Sequence, residues 1–419
     1  MLTKADNDLL TRVGPGTVMG TMLRRFWTPA LLSDEIAEPN GRPVRIRLMG
    51  EDLVAFRASD DRVGLLEEAC PHRGTSLGLA VNADNGLRCL YHGWKFDVNG
   101  QCLDMPAEQD GSAMCARIRA RAYPTVEAGG VVWTYMGPPA EKPVFPNFEW
   151  LSFAPEHVAA FKVRADCNYA QVMEGTVDSA HAGVLHRESP WGEEAKYPHE
   201  KDLKPKLEIE YTQYGLRYGA VRTLSPEERH VRVTQVILPF MTLIPPDGAG
   251  VRKHRRMANA FVPRDDVSTW HIQWFFDDTQ PVDRAFRIEE GGHWLIDGFR
   301  KQLNIDNWYQ QDRDMMRTTN MSGIRGILTQ DHAVSETQGA ILDRSREHLG
   351  TSDLAVVAWR RLMLRTARGL AERNEAPAML SAALPWQTIK GETLVFKAQS
   401  GWKDVVPLSS ELAADMTTA

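Results

Sequence analysis

The chain has little cysteine, no excess of positive charge and no long apolar run. Only five of its 419 residues are cysteine, and Cys102, Cys115 and Cys167 lack the spacing of a disulfide framework, so we interpret them as ordinary thiols. The formal net charge of −6 argues against nucleic acid as a main partner. No apolar run reaches the roughly 18 residues of a membrane-spanning helix, and residues 1–8 lack a signal-peptide core. These absences predict a cytoplasmic protein.

The two remaining cysteines belong to paired half-sites, Cys70-x-His72 and Cys89-x-x-His92, each offering a thiolate and an imidazole. Such a set could hold zinc or a Rieske [2Fe–2S] cluster. Zinc fingers usually place both cysteines in one half, whereas a Rieske cluster takes one Cys and one His from each loop. Glycines after each half-site, Gly74 and Gly93, would let backbone amides approach the sulfurs. The pattern therefore favours the Rieske cluster.

Hydrophobic patterning predicts an α+β protein of three parts. Residues 1–40 form an N-terminal segment, with rough helical spacing from Met22 to Leu32, that packs on the domain formed by residues 141–419. Residues 41–140 alternate in short strands joined by tight turns, which predicts a small β-sandwich with the metal loops at its tip. Residues 141–419 contain six period-two segments and then helical segments at 298–317, 329–344 and 353–371. They predict a helix-grip-like domain, a curved antiparallel sheet covered by helices.

A second constellation follows Asn168, where the chain carries Asp178, His181 and His186. His181 lies about one helical turn after Asp178, and Gly183 would allow a bend that brings both imidazoles to one ion. Two histidines and one carboxylate form the facial triad of non-haem Fe(II) oxygenases. Spacing alone leaves the carboxylate open, with these candidates: Asp178, Asp306, Asp312, Asp314 and Asp331.

With both sites in view, the chain resembles the Rieske non-haem iron aromatic-ring-hydroxylating oxygenases, as an oxygenase (alpha) subunit of the phthalate 4,5-dioxygenase-like branch. The cluster half-sites, the run from Asn168 to His186 and the run from Gln330 to Glu336 carry the resemblance. It implies cluster ligands Cys70, His72, Cys89 and His92, and Fe(II) ligands His181, His186 and Asp331.

The resemblance also implies a bridging role for Asp178, which would couple the cluster of one subunit to the iron of its neighbour. That coupling implies a homotrimer or a stacked pair of trimers. Electrons would come from NADH through a separate flavin or iron–sulfur reductase, and O2 would be used to hydroxylate, dihydroxylate or O-demethylate an aromatic compound during its catabolism. No residue that we can name decides among these reactions.

An aromatic carboxylic acid is the expected substrate, and it needs a cation in an apolar pocket. Lys206 precedes the first strand of the sheet, a position that resembles the one where phthalate-type enzymes hold a carboxylate-binding Arg. Arg217 and Arg222 are further candidates, and Ser179 could face the pocket. Two alternatives remain at this stage. One is a Rieske electron-transfer protein without its own catalytic iron, and the other is a zinc-binding scaffold.

Overall fold

The computed structural model describes residues 1–109, 111–246, 256–380 and 383–413, and the chain divides into two compact units. The larger unit comprises Met1–Arg12 and Pro146–Ala419, and the smaller one Val13–Phe145. Of the predicted N-terminal segment, residues 1–40, only Met1–Arg12 belong to the larger unit. The predicted division at residues 40 and 140 stays a prediction. Within the described part of the chain, no helix is both long and apolar enough to cross a membrane.

The chain begins with helix α1 (Lys4–Thr11), which belongs to the larger unit, and then enters the smaller unit. The elements of the smaller unit are α2 (Val18–Leu23), β1 (Trp27–Leu32), β2 (Val44–Leu48), β3 (Glu51–Arg57), β4 (Val63–Glu67), β5 (Val81–Ala83), β6 (Gly86–Arg88), β7 (Lys95–Phe96), β8 (Cys102–Asp104), α3 (Gly111–Cys115), β9 (Thr125–Ala128) and β10 (Val131–Tyr135). They form three antiparallel sheets, ordered β1-β10-β9, β2-β3-β4 and β5-β6-β7-β8.

The helical spacing predicted from Met22 to Leu32 is wrong beyond α2, because β1 begins at Trp27 and pairs with β10. Five of the six β1 residues are buried. A short apolar run buried on both faces has no periodicity that separates a strand from a helix. All five cysteines are free and buried. For Cys102, Cys115 and Cys167, this agrees with their interpretation as ordinary thiols. Two of these three, Cys102 and Cys115, contact each other through sulfurs 2.9 Å apart.

The larger unit is one wide sheet with helices packed against it. Its elements are β11 (Val158–Ala165), α4 (Tyr169–Val177), α5 (Pro198–Lys201), β12 (Lys206–Thr212), β13 (Gly215–Thr223), β14 (Glu228–Ile237), β15 (Met241–Ile244), β16 (Arg256–Asp265), β17 (Ser268–Phe276), α6 (Arg284–Gly291), β18 (Leu295–Ile296), β19 (Arg300–Lys301), α7 (Met315–Thr318), α8 (Ile327–Glu336), α9 (Leu354–Arg373), β20 (Glu392–Lys397) and α10 (Trp402–Val405).

The strand order of this sheet is β12-β13-β14-β15-β16-β17-β11-β19-β18, with β20 paired to β14. Neighbours are antiparallel except β11 and β19. The six predicted strands correspond to β12 through β17, and the predicted antiparallel sheet with covering helices is confirmed. Strands β11 and β20 were not predicted.

The predicted helices differ more from the observed ones. The helix predicted at 353–371 is confirmed as α9, whereas α8 ends at Glu336, well before the predicted residue 344. The helix predicted at 298–317 is wrong. Trp308, Tyr309 and Gln310 adopt left-handed backbone angles, with φ of 52°, 55° and 47°, which no right-handed helix accommodates.

A buried ion network ties α4 to the helices that follow it in sequence. The Glu174 carboxylate accepts from Arg344 Nε at 2.8 Å and from Arg360 Nε at 2.7 Å. Arg344 also donates to Asn7 Oδ1 at 3.1 Å, which connects the network to α1. Burial would raise the pKa of Glu174, but the two guanidinium groups outweigh burial and lower it. The charged carboxylate is therefore stabilised inside the unit.

We expect Glu174→Ala to lower the free energy of unfolding by about 3–5 kcal/mol, because it leaves two buried guanidinium groups without their common partner. Denaturant unfolding would measure the change. Glu375→Ala is the matched control, since Glu375 pairs with Arg373 on the surface and its loss should leave the unfolding curve unchanged. Equal curves for both variants would contradict the structural role of Glu174.

Candidate metal centres

The two half-sites of the smaller unit lie on loops of the same shape. In the first loop, Gly74 N donates to the Cys70 carbonyl at 2.9 Å, and Cys70 N donates to Thr75 O at 2.8 Å. The second loop repeats the turn, with Gly93 N donating to the Cys89 carbonyl at 3.0 Å. Both glycines have positive φ, +76° and +75°, which side chains other than hydrogen disfavour. Each loop thus folds back around its cysteine.

The four side chains of these loops converge. The His72 and His92 rings lie 4.4 Å apart between centroids, and both cysteines belong to one buried core cluster. Burial raises the pKa of the Cys70 thiol to about 11, while backbone amides of His72 and Arg73 that donate to its sulfur act against this. His92 Nδ1 is buried and has no hydrogen-bond partner among the described residues. Buried thiols and an unsatisfied ring nitrogen fit a cluster that supplies positive charge and an open coordination position.

In the larger unit, three side chains bring one ligand atom each to a single point. His181 Nε2 lies 3.1 Å from His186 Nε2, and Asp331 Oδ1 lies 3.0 Å from His186 Nε2 and 3.5 Å from His181 Nε2. Asp331 comes from α8, whereas both histidines follow the end of α4. The three atoms lie within 4.8 Å of one another, close enough to bind one metal ion. This donor set is the one expected for non-haem Fe(II).

The electrostatics of this triad suit a cation. Burial lowers the pKa of His181, and the facing His186 ring lowers it further, so the imidazole stays neutral with a free lone pair. Burial would raise the pKa of the Asp331 carboxyl, but the two imidazoles lower it. His181 Nδ1 donates to the Asp178 backbone carbonyl at 2.6 Å, which leaves Nε2 unprotonated and directed at the other two ligand atoms.

The role predicted for Gly183, bending a helix so that both imidazoles reach one ion, is not the one observed. Helix α4 has already ended at Val177, and His181–Gly183 is a separate 3-10 turn. A Cβ at Gly183 would lie 2.2 Å from the His199 carbonyl oxygen and 2.7 Å from a Leu203 methyl carbon. Glycine is required here because α5 packs directly on the turn that carries His181.

A buried polar network behind Asp331 has no signal in the sequence. His332 Nε2 contacts His271 Nδ1 at 3.1 Å, and His332 Nδ1 contacts Lys301 Nζ. Lys301 pairs with Glu336, which accepts from the Tyr309 hydroxyl at 2.5 Å. Burial lowers the pKa of His271 to about 3, so its ring is neutral at physiological pH. These contacts fix α8 against β17 and β19, and the partners lie too far apart in sequence for spacing to reveal them.

A cavity of about 190 Å³ opens beside the triad. The sheet contributes residues from four neighbouring strands, and the helical side contributes Asp178, Ser179, Tyr197, His199 and Gln330. The residues from the sheet are Tyr218, Arg232, Thr234, Ile244 and Met257. Arg232 is therefore a cation in the cavity wall that the sequence analysis did not single out.

The predicted substrate residues divide into two groups. Ser179 lines the cavity as predicted, but Lys206 does not: its side chain is 77% exposed at the start of β12 and pairs with Glu208 at 2.7 Å. Arg217 is buried and pairs with Glu210 at 2.7 Å. Arg222 is buried beneath the cavity wall and donates to the Ser179 carbonyl at 2.9 Å. Of these three cations, none is among the described residues that line the cavity.

The alternative carboxylates lie outside the triad. Asp306 pairs with Arg300 at 2.6 Å, and Asp314 pairs with Arg317 at 2.9 Å. Asp312 accepts from the backbone amides of Asp314 and Met315 at the start of α7. Among the described residues, Asp331 is the carboxylate that the fold brings to both histidines.

Comparison with known proteins identifies a family for each of two long stretches of the chain. Residues 26–124 match the Rieske [2Fe-2S] domain family, and residues 134–417 match the family described as LigXa C-terminal domain like. The chain is 40% identical to the phthalate 4,5-dioxygenase oxygenase subunit of Pseudomonas putida, over 96% of this chain and 94% of that protein. It is 35% identical to the 3-chlorobenzoate-3,4-dioxygenase oxygenase subunit of Comamonas testosteroni, over 88% and 89%. The crystal structure of dicamba monooxygenase bound to dicamba has the same fold, with a TM-score of 0.62 at 20% identity, over 84% of this chain and 100% of that one.

The chain belongs to the Rieske non-haem iron oxygenases, as an oxygenase (alpha) subunit of the phthalate 4,5-dioxygenase-like branch. It is an enzyme, a Rieske-type aromatic oxygenase that uses a [2Fe–2S] cluster and mononuclear Fe(II) and receives electrons from a partner reductase. The two alternatives from the sequence, an electron carrier without catalytic iron and a zinc scaffold, are therefore wrong.

We expect Asp331→Ala to lose the mononuclear iron while keeping the absorption spectrum of the cluster, because the two sites share no ligand. Anaerobic iron and acid-labile sulfide analysis should give one iron beyond the two of the cluster in the wild-type protein and only the cluster iron in the variant. Asp312→Ala is the control and should keep the additional iron. Retention of that iron in Asp331→Ala would assign the third ligand to another carboxylate.

Proposed function

We propose ligand sets for the two metal centres that membership of this family requires. Three ligand atoms converge within 4.8 Å of one another beside a cavity, and this observation supports the proposed iron ligands. The two cluster loops have the same shape, which supports the proposed cluster ligands. The iron ligands are His181, His186 and Asp331, and the cluster ligands are Cys70, His72, Cys89 and His92.

The residues around the proposed iron site bind and orient rather than react. When bound, the Fe(II) centre supplies O2 activation and the cluster supplies single electrons, which we propose come from NADH through the partner reductase. His181, His186 and Asp331 approach from the side of α4 and α8, so the side facing the cavity stays open for substrate. Ile244 and Met257 add apolar side chains to the wall on that side. A cytoplasmic location and a catabolic role stay predictions.

We further propose that Asp178 couples the two centres between neighbouring subunits of a homotrimer or a stacked pair of trimers. Asp178 offers two functional groups. Its backbone carbonyl accepts from His181 Nδ1 at 2.6 Å, and its carboxylate accepts from Ala180 N at 2.7 Å beside the cavity. The iron ligand therefore depends on the backbone of Asp178, which leaves the carboxylate available for electron transfer.

We expect Asp178→Asn to keep both metal centres and to abolish product formation with reductase and NADH. The asparagine retains the backbone carbonyl and an acceptor for Ala180 N, so the histidine geometry is preserved while the negative charge is lost. Metal analysis together with single-turnover product formation would separate the two effects. Asp314→Asn is the control for loss of a carboxylate charge away from the cavity, because Asp314 pairs with Arg317 on the surface. Normal turnover by Asp178→Asn would remove the bridging role.

The substrate that we propose is a single-ring aromatic carboxylic acid. A cavity of about 150 Å³ already accepts benzene, so the 190 Å³ here suits one substituted ring. Arg232 provides the cation in the wall, and Arg222 lies near enough for the two positive charges to influence each other. Two relatives are named for aromatic acids, phthalate and 3-chlorobenzoate. Arg232 thus takes the place that the sequence suggested for Lys206.

We expect Arg232→Leu to weaken binding of 3-chlorobenzoate and phthalate by about 10–100-fold, since a charge-assisted hydrogen bond contributes roughly 1.5–3 kcal/mol. Calorimetric titration of the metal-loaded protein would measure this loss. Lys206→Leu is the matched control and should bind both acids as the wild type does, because its side chain lies in solvent. The opposite pattern, with loss only in Lys206→Leu, would contradict this assignment.

A further inference from the structure

We propose that Gln330 is a positioning residue that fixes the tautomer and ring orientation of the iron ligand His186. The observation that carries it is a contact of 2.7 Å between Gln330 Oε1 and His186 Nδ1. Gln330 directly precedes the ligand Asp331 on α8, so one turn of helix supplies one ligand and holds another. The inference rests on the proposed function, because it assumes that His186 binds the iron.

The orientation of the Gln330 amide follows from its second contact. Its Nε2 donates to the Ile324 carbonyl at 2.9 Å, and a carbonyl oxygen can only accept. The amide nitrogen must therefore face Ile324, which directs the amide oxygen at His186. The loop before α8 is held in turn, since Gln311 Nε2 donates to Ser322 O at 2.7 Å and Asp312 N donates to Gly323 O at 2.8 Å.

The amide orientation decides which nitrogen of His186 carries the proton. An amide oxygen facing Nδ1 requires an N–H at that atom, so in the neutral ring Nε2 keeps its lone pair. That lone pair points to the place where Asp331 Oδ1 and His181 Nε2 converge, 3.0 Å and 3.1 Å away. Gln330 thereby presents His186 in the state that a metal needs.

The two histidine ligands are fixed by different means. His181 relies on the backbone carbonyl of Asp178, which no substitution removes, whereas His186 relies on a side chain. Gln330 is only 6% exposed, so solvent does not readily replace its oxygen. The orientation of His186 can therefore be changed by mutation without changing any ligand.

The test is a titration of Fe(II) into protein that has lost its mononuclear iron and kept its cluster. We expect Gln330→Leu to raise the Fe(II) dissociation constant by about 10–100-fold. Gln330→Glu keeps an acceptor facing Nδ1 but cannot donate to the Ile324 carbonyl, so it should recover only part of the affinity. With Co(II) as the probe, the difference absorption spectrum of Gln330→Leu should change shape, which reports ligand geometry rather than stability.

Gln171→Leu is the control for loss of a buried amide. Gln171 donates to the carbonyls of Ser335 and Gly339 at 3.0 Å and 2.8 Å, near the opposite end of α8, and does not contact His186. It should lower thermal stability and leave the Fe(II) dissociation constant unchanged.

Three outcomes separate the possible failures. Wild-type affinity in Gln330→Leu would overturn the positioning role, and so would a weaker affinity with an unchanged Co(II) spectrum, because lost packing would then explain the weaker binding. A wild-type protein that binds no Fe(II) in this titration would instead refute the proposed iron site on which the inference rests.

Discussion

The structure of the larger unit depends on holding three electron-rich atoms together in a half-buried place. Two imidazole nitrogens lie 3.1 Å apart, and a carboxylate oxygen lies 3.0 Å from one of them. The lone pairs of such atoms repel one another at these distances, and a divalent cation turns that repulsion into attraction. Until the cation arrives, the surrounding scaffold has to maintain the arrangement.

The scaffold meets this requirement from three directions. The end of α4 fixes His181 through a backbone carbonyl, and the close approach of α5 at Gly183 supports the turn that follows. The network around His332 and Lys301 fixes α8 from behind. None of these contacts covers the open side of the triad, so the contacts that hold the ligands in place do not block access to the metal.

Local patterns in the sequence were sufficient for the half-sites, the six strands β12 to β17 and α9, because each depends on residues close together in the chain. The same reasoning failed at 298–317, where the left-handed turn at Trp308–Gln310 is held by Tyr309 bonding to the distant Glu336. Strand β1 was missed because its apolar run is buried on both faces.

The candidate site shows the same limit. His181 and His186 could be found because they lie five positions apart, and Asp331 came only from resemblance to a family. Lys206 and Arg232 are both cations on strands of one sheet, and the resemblance to phthalate-type enzymes favoured Lys206. Which of them faces the cavity depends on the register of β12, β13 and β14, and on β12 being the edge strand.

The pairing of α1 with distant parts of the chain has a consequence for the order of folding during synthesis. The smaller unit is continuous from Val13 to Phe145 and can form its sheets as soon as that stretch leaves the ribosome. Helix α1 emerges earlier still, yet Asn7 donates to the carbonyl of Leu342, 335 residues further along. Strand β20, which pairs with β14, is synthesised later than both α1 and Leu342. Helix α1 therefore cannot complete its contacts until the segment around Leu342 has been synthesised.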